Sequence, residues 1–229
     1  MQFREERDLS DFVFVTKLSA DITDGERGVI FALFDLAYRD ANHGYLAKSL
    51  TKLKYITLAY HDGAPAGFGL AEMRVLDLPR LPQQAVGMAG ICCVDDRFRR
   101  RGLFGALEGR SMAAAGNRPA GRLITCGRMA HPASFRTMTR NPSRIPKPGI
   151  AITAWQREIG TALAAEYGVP DFDPVTFVCH GTGEPIGYPN LAMDVSEDEW
   201  AVFREVNRDR GDSLLGMAWI PDAPDGWDD

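Results

Sequence analysis

The sequence predicts an α/β protein of the α+β kind, a sheet of several strands flanked by helices. Three observations predict it. Runs rich in β-branched and aromatic residues alternate with segments whose apolar residues recur at helical spacing. Two apolar runs joined through Asp62-Gly63 carry the signature of an antiparallel hairpin. A near-continuous apolar stretch, Ala85 to Val94, reads as a strand buried on both faces and passes through a basic turn into a helix headed by Gly102.

Taken in order, Phe12 to Leu18 reads as a strand, and Asp24 to Arg39 as a helix with Val29, Ile30, Leu33, Phe34, Ala37 and Tyr38 on one side and Asp24 as its N-cap. A shorter helix is expected over Gly44 to Leu53. Tyr55 to Tyr60 and Phe68 to Val75 are the hairpin strands, and Pro79 and Pro82 should break the chain before the strand at Ala85 to Val94. After the turn Asp95 to Gly102, a helix from Leu103 to Ala115 should end near Gly116-Asn117, with Pro119 enforcing the stop. Arg122 to Gly127 is the next strand, Pro132 to Arg140 a short helix, and 141–149 a loop with three prolines. A helix over Gln156 to Tyr167 follows, then strands at Val175 to Cys179 and Leu214 to Ile220 flanking a helix at Glu197 to Asn207. No internal repeat is present.

The 229 residues, 45% hydrophobic and 25% charged, have the composition of a globular chain and exclude disorder, collagen and coiled coil. A membrane span needs roughly 20 consecutive apolar residues; the longest stretches here reach about half that or less. The charged start, Met1 to Asp8, lacks the apolar core of a signal peptide, so a cytoplasmic protein is expected. Cys92, Cys93, Cys126 and Cys179 form no C-x-x-C pair, and the four histidines form no zinc pattern, so no metal is expected. The net charge of -5 conceals a block: residues 97–158 carry 13 basic and 2 acidic residues, whereas the stretch from 171 onward carries 14 acidic and 3 basic ones. A block of that sign seeks a phosphorylated cofactor, a nucleic acid or the acidic remainder of the same chain.

Strand, basic turn, glycine and helix at 85–115 form the specific signal. A helix N-terminus offers unpaired amides and the positive end of the macrodipole, so it is a ready anion site with pyrophosphate as the natural guest. Gly102 permits close backbone approach while Arg99, Arg100 and Arg101 add charge; the Walker pattern G-x-x-x-x-G-K-[ST] is absent.

The stretch Val94 to Leu107 resembles the coenzyme A binding motif of the GNAT acyltransferase superfamily, V-x-P-x-[YF]-[RQ]-x-x-G-x-[GA]-x-x-L, with Val94, Phe98, Arg99, Gly102 and Leu107 matching. The order of elements over residues 10 to 180 is similar too. The resemblance implies a GNAT fold: a central mixed, mostly antiparallel twisted sheet of about six to seven strands, splayed at the cofactor strand. It implies one domain over 1–229, with an insertion or extension at about 181–229. Acetyl-CoA, or another acyl-CoA, would be the cosubstrate. Main-chain groups of Cys92, Cys93 and Val94 would hold the pantetheine arm, and the amides from Arg100 through Leu103 and Phe104 to Gly105 would cradle the pyrophosphate. Asp96 stands where the family often has proline, and Phe104 with Gly105 departs from the motif's second small residue. Met88 and Met138 occupy the places that match the family's frequent general base and acid.

Two residues remain as acid or base candidates: Glu72, inside an apolar strand, and His131, at the start of the helix after Arg122 to Gly127. Each has a structural reading beside the catalytic one, a solvated or salt-bridged strand carboxylate for Glu72 and a helix-start residue satisfying backbone groups for His131. Cys126 reads better as a buried thiol than as a nucleophile. The expected activity is transfer of an acetyl group from acetyl-CoA to a primary amine of a small molecule or peptide by direct attack. The alternatives are a longer-chain acyltransferase, with Phe104, Met88, Met138 and Phe135 lining the acyl channel, and a non-catalytic CoA-binding module. Neither a membrane nor nucleic acid is an expected partner, since the acidic C-terminal part opposes the latter; a homodimer is allowed for.

Overall fold

The computed structural model describes residues 9–116, 121–191 and 194–229. The elements run β1 (Phe12–Leu18), α1 (Asp24–Ala37), β2 (Tyr38–Arg39), α2 (His43–Lys52), β3 (Tyr55–His61), β4 (Ala64–Leu78), β5 (Leu81–Val94), α3 (Leu103–Ala113), β6 (Leu123–Met129) and α4 (Pro132–Phe135). They continue with α5 (Ala154–Glu166), β7 (Phe172–Asp173), β8 (Val178–Cys179), β9 (Tyr188–Pro189), α6 (Glu197–Ala201) and β10 (Ser213–Ile220). Eight strands form one sheet in the order β1-β3-β4-β5-β6-β10-β8-β7, and β2 pairs with β9 in a separate ribbon. The sheet is mostly antiparallel, as expected, and exceeds the expected strand count because β7 and β8 add two-residue strands at one edge.

The chain divides into two compact units: residues 1–73, 89–118 and 186–191, and residues 74–88, 119–185 and 192–229. Both β4 and β5 run from one unit into the other. In the first unit α3 lies close over the sheet because β4 places Gly67 and Gly69 beneath it. A Cβ at Gly69 would stand 2.9 Å from Leu107 Cβ, and one at Gly67 only 2.7 Å from the Cys93 carbonyl. Ser111 Oγ, buried under the helix, donates to the Gly69 carbonyl at 2.9 Å and meets Thr57 Oγ1 at 2.8 Å. Polar groups so placed are satisfied inside an otherwise apolar layer.

Several boundaries moved for local reasons. The cap of α1 is Thr23, not Asp24: its hydroxyl accepts from the Glu26 amide at 3.3 Å while Glu26 accepts from the Thr23 amide at 2.9 Å. Pro79 sits in the tight turn between β4 and β5, whereas Pro82 lies within β5, so the hairpin runs on past the expected break. The helix expected over Pro132 to Arg140 is a single α-turn followed by hydrogen-bonded turns, and the one over Glu197 to Asn207 ends at Ala201. α3 stops at Ala113; Asn117 and Pro119, which were to end it, lie outside the described residues, as does Met1 to Asp8.

Candidate functional site

The first unit contains the turn that follows β5. Asp95, buried, caps a single 3-10 turn, Asp96–Phe98, by accepting from the Arg97 amide at 3.0 Å, and it holds the Arg97 guanidinium at 2.8 Å. That arginine keeps the Asp95 carboxyl below the usual carboxylate range. Phe98 anchors the turn from beneath, packed with Phe12, Ala66, Leu103 and Leu107 and meeting the Phe12 ring edge-on at 5.4 Å. The motif's aromatic position is thus a hydrophobic peg.

Beyond the peg the backbone turns twice through the left-handed region, at Arg100 (φ 65°) and at Gly102 (φ 92°), the residue that heads α3. The first backbone bond of that helix is from the Ala106 amide to the Gly102 carbonyl. Consequently the six amides from Arg100 through Gly105 donate to no acceptor among the described residues. Left-handed residues alternating with others fold successive N–H groups into a concavity, and the helix dipole adds its positive end. Such a cradle fits a pyrophosphate.

Side chains around it divide the work unevenly. Arg99 is spent on protein carbonyls, Nε to Val94 at 3.3 Å and Nη1 to Asn190 at 3.1 Å. Arg101 pairs with Asp11 at 2.6 Å and lies over the Phe12 ring. Arg100 is exposed and is the arginine of the run left to meet an anion. One turn farther along α3, burial pushes the Glu108 carboxyl up to about 8, so near neutral pH it is uncharged and adds no repulsion beside the cradle. Cys92 and Cys93 are raised by burial as well, and the Cys92 thiol donates to the Phe104 carbonyl at 3.8 Å. Arg99 also ties this turn to the β2–β9 ribbon, because the Asn190 amide donates to the Ala37 carbonyl at 2.7 Å.

Glu72 belongs to the same unit and is buried. Its Oε2 accepts from the Lys54 amide at 2.7 Å, a bond that fixes the link between α2 and β3.

His131 belongs to the second unit. Its Nδ1 accepts from the Ala133 amide at 3.1 Å as the cap of α4, and its ring meets Trp200 edge-on at 5.1 Å. Burial, reinforced by Arg208 and Arg136, lowers its pKa below 6.5. A ring that accepts at Nδ1 carries its proton at Nε2 when neutral, so His131 presents a donor rather than a base. Met138 is buried against Gly216 beside Phe135 and Met88 is fully buried, so both act as core. Burial pushes Cys126 up to about 12 and Cys179 up to about 11, leaving no thiolate for a covalent route.

A group that the sequence did not single out is Tyr167, at the end of α5. Met217 of β10 spends both its backbone groups on Ile145, so its partner Cys126 turns its own N–H and C=O away from β10, toward the β5 side of β6. The Tyr167 hydroxyl donates to that Cys126 carbonyl at 3.0 Å. Sequence could not reveal it, since 41 residues separate the two partners.

No family model matches the chain, and no curated protein matches it. Solved structures do. The chain is similar to the ribosomal-protein-S18-alanine N-acetyltransferase of Escherichia coli at 11% identity and a TM-score of 0.42, over 93% of this chain and 98% of that one. A GNAT family acetyltransferase from Elizabethkingia anophelis with acetyl-CoA bound matches at 11% identity and a TM-score of 0.41, over 91% and 97%. An IAA acetyltransferase from Bacillus cereus matches at 11% and 0.42, over 91% and 99%. At such identities and scores the likeness says nothing of substrate, and the reading of the site rests on its own residues.

Proposed function

We propose that this chain is an acyl-CoA-dependent N-acyltransferase, most simply one that moves the acetyl group of acetyl-CoA to a primary amine of a small molecule or peptide. The observation that carries the reading is the run of six acceptorless amides at Arg100 to Gly105, bent by left-handed Arg100 and Gly102 at the head of α3. Acetyl-CoA supplies a thioester whose carbonyl carbon a neutral amine attacks, with CoA leaving as the thiol. The chain supplies the cradle, the exposed Arg100, and strand β5 with Cys92 and Cys93 at its end for the pantetheine arm. Thiols that burial keeps protonated favour direct attack over an acyl-enzyme route.

Calorimetry with acetyl-CoA, a long-chain acyl-CoA and free CoA, on the wild type and on Gly102→Asp, tests the cofactor assignment. Any side chain at φ 92° is strained by about 1–2 kcal/mol, and a carboxylate there repels phosphate. Binding to the wild type with loss of about 100-fold or more in the variant is expected, and the preferred acyl chain is read from the same series. Absence of binding for all three ligands would overturn the proposal.

A further inference from the structure

The two residues at the start of the cradle are held by no backbone bond. Neither the N–H nor the C=O of Arg100 or Arg101 meets a hydrogen-bond partner among the described residues. Arg100, at φ 65°, also takes a conformation that disfavours any residue with a side chain. Successive amides aimed into one concavity bring the positive ends of their dipoles together until an anion fills it. Side chains must therefore keep the segment bent while it is empty; otherwise binding itself has to order the segment, at a cost in affinity.

The ends of the segment have their own restraints. Upstream, Arg99 hangs on the Val94 and Asn190 carbonyls, and downstream α3 begins at Leu103. Between them, among the described residues, the side chain that reaches a protein partner is Arg101. Its Nη2 donates to Asp11 Oδ2 at 2.6 Å and its guanidinium carbon lies 4.8 Å from the centre of the Phe12 ring.

Asp11 is itself anchored. It stands just before β1 in a turn closed by the Phe12 amide, which donates to the Leu9 carbonyl at 3.0 Å. The oxygen that takes Arg101 also meets His61 Nε2 at 3.1 Å. His61 ends β3 and is the register partner of Phe12; its ring lies 5.2 Å from that of Phe12 and 4.9 Å from that of Phe98, the peg beneath the turn. One carboxylate thus ties the start of β1, the end of β3 and the cradle, all within the first unit. As a bare charge the same carboxylate is a liability, since a negative group one side chain away from an anion site repels the anion. Restraint and repulsion predict opposite signs for its removal.

We propose that Asp11 is a positioning residue for the diphosphate, holding the empty cradle in its binding shape through Arg101. The assignment rests on the acyl-CoA reading of the cradle and deepens it.

Calorimetry with inorganic pyrophosphate and with acetyl-CoA, on the wild type, D11N, D11E, R101Q and D11N/R101Q, tests it. The Asp11 and Arg101 side chains are 40% and 38% exposed, so the pair is partly screened. Both ligands should bind D11N about threefold to fivefold more weakly. The double variant should be no weaker than R101Q alone, because the two residues act as one. D11E keeps the carboxylate and should recover part of the loss. Losses that multiply in the double variant, or a loss that D11E shares in full, would make Asp11 a merely structural residue and overturn the role. Both ligands bound by D11N as tightly as by the wild type, or more tightly, would overturn the positioning role and leave the acyl-CoA reading standing. Pyrophosphate binding that weakens in D11N, with acetyl-CoA unbound, would uphold the positioning role and overturn the acyl-CoA reading. Absence of binding for both ligands would overturn the two together.

Discussion

Replacing Glu108 by glutamine should make the protein more resistant to alkaline loss of stability, by an amount that grows with pH. Burial on α3 lifts this carboxyl from the ordinary 4.5 to about 8 in the folded chain. Between those values the folded state holds a proton that the unfolded state has released, so folding loses stability as pH rises, with a limiting slope of about 1.4 kcal/mol per pH unit. Over the whole interval the ceiling is about 5 kcal/mol. Water still reaches part of this half-buried side chain, so a difference of about 2–4 kcal/mol is expected above pH 8. Glutamine keeps the shape and the polarity and cannot ionise. Urea denaturation of wild type and Glu108→Gln from about pH 5 to about pH 9 measures the effect. Near the acid end the two should agree; the gap should widen through neutrality and level off once the folded carboxyl has ionised. Parallel curves over that range would refute the reasoning, because every other titrating group is common to both proteins.

Gly69→Ala should cost about 1–3 kcal/mol, since its Cβ would press on Leu107 and lift α3 off the hydrogen bond between Ser111 and the Gly69 carbonyl. Denaturation would measure that loss, and weaker acetyl-CoA binding by calorimetry should accompany it because α3 heads the cradle. Tyr167→Phe removes the hydroxyl from the Cys126 carbonyl at a stability cost of about 0.5–1.5 kcal/mol. Denaturation of wild type and Tyr167→Phe measures that cost, and equal stabilities would refute the contribution of the bond.

What could be read from residues alone followed from short-range physics. The Asp62-Gly63 hairpin, the helical face of α1 and the passage from β5 through the basic turn to Gly102 are each set within a few residues, because turn geometry and period depend on neighbours along the chain. The cradle was visible for the same reason: a glycine before a helix, with arginines ahead of it, is a local statement about φ and unpaired amides. Where the local signal was weak, tertiary bonds decided instead. Val175 to Cys179 yielded only a two-residue strand, since the Asp173 carboxylate draws the Val175 and Thr176 amides into a turn.

The distribution of the charges was beyond sequence. Three consecutive arginines look alike as letters, but the fold gives Arg99 to the carbonyls of Val94 and Asn190 and Arg101 to Asp11, and leaves Arg100 outward. Glu72 and His131, equally open on paper, accept hydrogen bonds from the amides of Lys54 and Ala133. Tyr167 carried no signal at all, because what matters about it is a carbonyl 41 residues away. The sequence by itself determined where the backbone turns through the left-handed region into a helix and leaves successive amides without backbone acceptors, since backbone conformation is set locally. Only the tertiary structure decided which side chains remain available for chemistry, since burial and pairing depend on residues distant in the chain that folding brings together.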